Sequence, residues 1–248
     1  MTREPVSSAS IDPDEVAYFE RLADRWWDAD GPFWPLHRLN GFRVAYIRER
    51  LCGELGCNAS SSQPFVGLRL LDIGCGGGIL SESLARLGAQ VVGIDVAEKN
   101  IRVAQLHAER QGLPIDYRLL SVEEMAATGE TFDAVLNMEV VEHVEQLPQF
   151  LAACGRLVRP AGIMVVATIN RTPLAYLMAI IGAEYILRWL PRGTHRYRKL
   201  VKPREVVAGL GDHFSEQHRI GVRVNPLDRS FHYTGLLSVN YMMVFRRD

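Results

Sequence analysis

Short apolar runs alternating with helical stretches predict a doubly wound α/β domain on a mostly parallel, seven-stranded sheet. Two more observations agree. A glycine-rich turn, Leu71-Asp72-Ile73-Gly74-Cys75-Gly76-Gly77-Gly78, follows the first such run and leads into a helical stretch. Amphipathic stretches precede the alternation, and one long interruption follows its fifth run.

Residues 1–11 read as a disordered lead-in, and 12–248 as one domain. Asp12 or Asp14 can cap a helix running to about Asp28, because Val16, Phe19, Leu22, Ala23, Trp26 and Trp27 recur at helical spacing. A second helix begins near Asn40, with Val44, Ile47 and Leu51 on one face. Residues 58–64 form a polar loop. Strands are expected over 68–73, 91–96, 115–120, 132–138 and 163–169, each apolar enough to be buried on both faces. Helices fall between them near 79–87, 98–111 and 146–158, and residues 220–224 and 241–245 can close the sheet. The stretch from Pro173 to Pro203 breaks this rhythm, at about thirty residues where tight α/β connections use roughly two to six.

The bulk numbers narrow the function. A composition of 48% hydrophobic and 23% charged residues can bury a full core without staples. The 28 basic and 29 acidic residues nearly cancel, so no nucleic-acid partner is expected. Cys52, Cys57, Cys75 and Cys154 contain no C-x-x-C pair, which argues against zinc. Residues 1–10 lack the apolar segment of a secretion signal, so a reducing cytoplasmic setting with free thiols is expected.

The glycine turn is the central chemical signal. Glycines there let the backbone turn sharply and approach a ligand. A dinucleotide fingerprint also wants glycine at the sixth position counted from Gly74, where Ile79 stands. Asp72 would in addition repel a pyrophosphate. A nicotinamide oxidoreductase is therefore disfavoured. Asp95, ending the second strand, can accept hydrogen bonds from two ribose hydroxyls or cap the following helix.

The turn resembles motif I of class I methyltransferases, a Rossmann-like fold that binds S-adenosylmethionine. The resemblance implies that the methionine part of the donor lies over Gly74 and Gly76, with Asp72 near its ammonium group. It places adenine contacts at Ser121, Val122 and Glu123. Met138 can line the cofactor crevice or belong to the core.

More distributed motifs narrow the family. Trp26-Trp27-Asp28, Gly31-Pro32-Phe33, Pro35-Leu36-His37-Arg38-Leu39-Asn40, Arg43-Val44-Ala45-Tyr46-Ile47, Met138-Glu139-Val140-Val141-Glu142-His143-Val144 and Thr168-Ile169-Asn170-Arg171-Thr172 resemble the ubiquinone biosynthesis O-methyltransferases. The similarity runs from about residue 12 to the C-terminus. Gly41 departs from it, since proline is common there. The resemblance implies O-methylation of a polyprenylated catechol or hydroxyquinol, Arg43 on the methionine carboxylate, and Mg²⁺. Trp26 and Trp27 can roof the site or pack in the core.

Glu139, Glu142 and His143 stand just past the fourth strand, where open α/β sheets place ligands. If that stretch is helical they share a face and can hold a divalent cation that activates the phenol. Alternatively His143 is the general base, with Glu142 beside it, or the two acids merely cap a helix. In the long interruption, an apolar run from Pro173 to Ala183 resumes after Glu184. It is followed by Arg188, Arg192, His195, Arg196, Arg198, Lys199, Lys202 and Arg204. This pattern suits a lid, or an interfacial element on anionic lipid, and peripheral attachment to the inner membrane face is expected. Other enzymes of ubiquinone synthesis are candidate partners. Competing readings are a methyltransferase for a non-quinone phenol and a noncatalytic, lipid-associated subunit.

Overall fold

The computed structural model describes residues 10–28, 30–187, 189, 194–226 and 228–248. Most of the expected lead-in, and Arg188 and Arg192 of the basic run, lie outside the described residues. Ser10, at the end of that lead-in, is buried, and its carbonyl accepts from the Glu145 N–H at 3.0 Å.

The N-terminal helices differ from the sequence reading at their ends. Helix α1 (Pro13–Leu22) is capped by Asp12, whose Oδ1 accepts from the Asp14 N–H at 3.0 Å. It stops at Leu22 and tightens into a 3₁₀ turn, Ala23–Arg25. Helix α2 (Trp34–Leu55) begins six residues before Asn40, because Pro35 in its first turn suits a helix start. Gly41 lies inside α2, and a Cβ there would meet nothing within 4 Å. The missing proline therefore leaves the helix intact.

Gly56 ends α2 in the left-handed region, turning Cys57 back so that its N–H reaches the Cys52 carbonyl at 3.1 Å. This return brings the two Cα atoms to 4.4 Å, and Cys52 and Cys57 form a disulfide. The expectation of four free thiols is thus corrected. Cys75 and Cys154 are free and buried.

The sheet follows as β1 (Arg69–Ile73), α3 (Ile79–Arg86), β2 (Gln90–Asp95), α4 (Glu98–Gln111), β3 (Asp116–Leu119), α5 (Val122–Ala127), β4 (Phe132–Met138), α6 (Leu147–Leu157) and β5 (Val158–Ile169). A short helical turn α7 (Pro173–Ala175) runs into a π-helix over Tyr176–Ile186. Then come α8 (Pro203–Leu210), β6 (Phe214–Val224), β7 (Phe231–Thr234) and β8 (Asn240–Arg247). The strand order is β3-β2-β1-β4-β5-β8-β6-β7, eight strands rather than the seven expected. The extra strand is the short hairpin partner of β6. β1 to β5 pair in parallel, and β8 runs antiparallel between β5 and β6.

Strand alternation builds two apolar layers. Leu71, Val135, Met164 and Val166 face α6 and α8, while Leu70, Leu136, Ile163 and Val165 face α2 and α3. Burial on both sides is why these runs read as continuous rather than alternating.

Candidate functional site

Strand order reverses between β1 and β4, so a crevice opens above their carboxyl ends. A cavity of about 410 Å³ lies there. The glycine turn, Arg43, Asp72, Asp95, Glu139 and His143 line it.

Gly74 (φ 65°) and Gly76 (φ 53°) sit in the left-handed region. Space matters as much as torsion: a Cβ on Gly76 would lie 2.5 Å from Trp26 Cη2, and one on Gly74 would lie 2.6 Å from Val140 Cγ2. Trp26 stacks on Phe33 with ring centroids 3.8 Å apart, and its Nε1 donates to Asn100 Oδ1 at 2.8 Å. It both walls the cavity and packs beneath it. Trp27 turns away, donating to the Gly77 carbonyl at 2.9 Å and stacking on His107.

Asp95 does not cap α4, whose N-cap is Ala97. Its carboxylate accepts from the Gly76 N–H at 2.9 Å and the Ala97 N–H at 2.8 Å, tying β2 to the glycine turn. Burial raises its pKa, and the two backbone donors oppose that rise. Asp72 is 3% exposed and accepts from Ser81 Oγ at 2.6 Å. Burial pushes its pKa up to about 6, against the Ser81 hydrogen bond and the Arg43 charge.

Arg43 is the oddest group in the crevice. It is 5% exposed, and its Nε and Nη2 have no hydrogen-bond partner. Burial lowers its pKa, while the charges of Glu139, Asp72 and Glu142 favour the cation. A buried guanidinium with unused donors is costly unless an anion completes it.

Ser121 caps α5 in a reciprocal box: its Oγ accepts from the Glu124 N–H at 3.1 Å, and Glu124 accepts from the Ser121 N–H at 2.8 Å. Ser121, Val122 and Met138 all line the cavity. Met138 also packs in the core against the α2 layer, so both readings of it apply.

The acid and histidine cluster is arranged differently from the expectation. Val141–His143 is a single 3₁₀ turn, not an α-helical face. Glu139 follows β4 at φ 60°, and its N–H donates to the Ala167 carbonyl at 2.8 Å. Glu142 is 3% exposed and accepts from Thr168 Oγ1 at 2.7 Å, while its Oε1 has no partner. Burial and the neighbouring Glu139 charge push its pKa well up.

His143 Nδ1 lies 3.1 Å from Glu15 Oε2 on α1. Burial would raise Glu15, but the His143 hydrogen bond and charge hold it below the usual carboxylate range. Among the described residues, no three His, Cys, Asp or Glu side chains converge as a metal site. The expected Mg²⁺ set of Glu139, Glu142 and His143 is therefore not supported by this arrangement. Glu142 accepts from Thr168 and the His143 imidazole is engaged with Glu15, so neither side chain is turned toward a common centre. As they stand in this structure, the three side chains do not form the oxygen-rich cage that a divalent cation prefers.

The insertion covers the cavity, with Met178, Ala179, Leu187, Trp189 and His195 among its lining. Trp189 packs edge-on against Trp34 of α2. Tyr176, Leu177 and Ile186 of the same segment are 44%, 52% and 70% exposed, an apolar surface patch. Part of the basic run is spent on ion pairs, since Lys199 binds Asp12 and Glu145, and Arg196 Nη1 lies 3.9 Å from Asp12 Oδ2. No helix among the described residues is long and apolar enough to cross a membrane.

The comparisons with known proteins fit this geometry. The family described as "Methyltransferase domain" matches residues 71–166. The ubiquinone biosynthesis O-methyltransferase of Brucella anthropi is 51% identical over 239 residues, covering 96% of each chain. The chain belongs to the ubiquinone biosynthesis O-methyltransferase family. The family's protein from Mesorhizobium japonicum is 52% identical, covering 95% of each.

The fold is that of class I methyltransferases. The magnesium protoporphyrin IX methyltransferase of Synechocystis, solved with bound SAH, superposes with a TM-score of 0.65 at 20% identity, over 95% of this chain and 100% of that one. The N-methyltransferase NodS of Bradyrhizobium japonicum, also with SAH, gives 0.57 at 19%, over 94% and 97%.

Sequence reasoning missed several residues that hold the site. Asn100 joins Trp26 to Asp95, Ser81 holds Asp72, Thr168 holds Glu142, and Glu15 holds His143. The capping role of Ser121 was available from the Ser-x-x-Glu spacing to Glu124. The others are long-range contacts with no local signature.

Proposed function

We propose that this chain methylates a ring hydroxyl of a polyprenylated catechol or hydroxyquinol in ubiquinone synthesis, with S-adenosylmethionine as donor. The observation that carries the donor is buried Arg43, its Nε and Nη2 unpartnered in the same crevice as Asp72. A cation lacking an anion and an acid awaiting a cation match the carboxylate and ammonium of a free amino acid. Asp95 takes the ribose hydroxyls, and Ser121 and Val122 flank the adenine. The donor supplies an electrophilic methyl on sulfonium sulfur.

The chain's own residues position and deprotonate the acceptor. His143 keeps Nδ1–H on Glu15, since a carboxylate can only accept there. That leaves Nε2 to take the phenolic proton as the aryl oxygen attacks. Product, demethylated donor and an imidazolium result, and the imidazolium then releases its proton to water. Glu142 supports this turn from below through Thr168. No step is routed through a divalent cation.

The relatives' shared name and the apolar cover support a polyprenyl acceptor. The exposed face of the insertion supports peripheral attachment to anionic lipid, bringing the site to a substrate dissolved in the bilayer. Labelled methyl transfer to a short-chain polyprenyl catechol, with Mg²⁺ or EDTA, tests the reading. Transfer is expected in both arms and is lost in His143→Gln. A chain that binds S-adenosylhomocysteine but methylates no phenol refutes it.

A further inference from the structure

The proposed reaction uses one imidazole, but the cavity holds two. His195, near the end of the insertion, lines the same cavity as His143, with ring centroids 6.4 Å apart. Each ring is held at Nδ1 by its own carboxylate. Glu15 takes His143 at 3.1 Å, and Glu184 takes His195 at 2.9 Å. Glu184 is the acid that interrupts the apolar run of the insertion, where a charge looks misplaced. It is 1% exposed, and the same Oε1 also accepts the His195 backbone N–H at 2.9 Å. Two contacts from one residue fix both the position and the rotation of the ring. A carboxylate on Nδ1 selects the tautomer with hydrogen there, so Nε2 is the acceptor on both rings.

We propose that His195 is a specificity residue of the methyl-transfer site: with Glu184 behind it, it accepts a hydrogen bond from the second ring oxygen of an ortho-dihydroxy substrate. The inference rests on the reading of His143 as base and adds what selects its acceptor. The two rings bracket one aromatic edge. His143 receives the proton of the hydroxyl that attacks, and His195 receives the hydrogen bond of its neighbour. A monophenol leaves His195 Nε2 unsatisfied in a mostly apolar enclosure, which penalises it. His195 is only 10% exposed at its side chain, so water does not readily replace the missing hydroxyl. No covalent step is added.

The test compares a short-chain prenyl catechol with the matching monophenol. Binding is measured by calorimetry on the full chain saturated with S-adenosylhomocysteine, and turnover is measured with labelled donor. The native chain should prefer the catechol by about ten- to thirtyfold, the scale of one hydrogen bond to a buried acceptor. His195→Ala should bring that ratio close to one, mainly through KM. Glu184→Gln should erode it in part, because the amide holds the ring less firmly. Affinity for S-adenosylhomocysteine should not change in either variant, which reports intact folding.

A native-like catechol preference in both folded variants overturns the proposal and leaves the methyltransferase reading standing. A native chain that binds S-adenosylhomocysteine yet methylates neither phenol overturns that reading, and this proposal with it. Should His195→Ala fail to fold, Glu184→Gln and a conservative His195→Gln carry the same comparison.

Discussion

Replacing Arg43 by Met separates a ligand-binding cation from a structural one. The side chain is 5% exposed, and two of its nitrogens have no partner. Without donor it therefore contributes desolvation cost and little pairing, and a methionine of similar length removes that cost. The ligand-free variant should melt at or above the native temperature. With donor the sign reverses. Hydrogen bonds to a charged partner contribute about 1.5–3 kcal/mol each. Losing the carboxylate contact should then weaken S-adenosylhomocysteine binding by about 3 kcal/mol, roughly a hundredfold. The same loss reappears in the thermal shift produced by ligand, as about 5–10 °C for a chain of this size. Melting curves with and without ligand, combined with calorimetric titration, measure both quantities. A ligand-free variant melting several degrees lower while binding S-adenosylhomocysteine as tightly as the native chain would refute the reasoning.

Three further perturbations follow from the same geometry. Asp72 has its pKa raised from 3.8 to about 6. Between those values the folded chain keeps a proton that the unfolded chain has lost, so its contribution to stability falls as pH rises and reaches a penalty of about 3 kcal/mol above pH 6. Asp72→Asn should accordingly stabilise the ligand-free protein at pH 7.5, with the gain shrinking toward pH 4, while weakening donor binding. A gain that stays flat across that window in denaturant titrations would contradict this. Gly76→Ala forces a Cβ against Trp26 at a positive φ, and should cost about 2–3 kcal/mol and displace the indole, read by tryptophan fluorescence. Glu142 favours its neutral form beside Thr168, so Glu142→Gln should change stability by less than about 1 kcal/mol, whereas Glu142→Ala should cost about 2. Equal losses in the two variants would argue for a charged role.

The sheet was legible because its strands are buried on both faces and its turns carry glycine. Helix α4 falls on the residues its periodicity indicated. The boundaries that shifted did so for tertiary reasons. α1 stops short of Asp28 because Trp26 drops onto the glycine turn, and β7 exists only as a partner for β6. Asp72, Asp95 and Arg43 could be named from motif and resemblance. The neighbours that set their protonation could not, since Ser81, Asn100 and Thr168 are ordinary polar residues until the fold brings them near. Glu139, Glu142 and His143 would share a face only if their stretch were α-helical, and a single 3₁₀ turn instead sends Glu142 and His143 to different partners.

The roof of the crevice is stitched from opposite ends of the sequence. α1 and its cap are fastened to the later segment by Tyr18 on Thr194 and by Asp12 on Lys199, and Glu15 reaches His143 from the same helix. Neither flap can lift without tugging the other. An acceptor that displaces either flap on entry would thus part Glu15 from His143, and that pair would re-form only once both flaps are back in place.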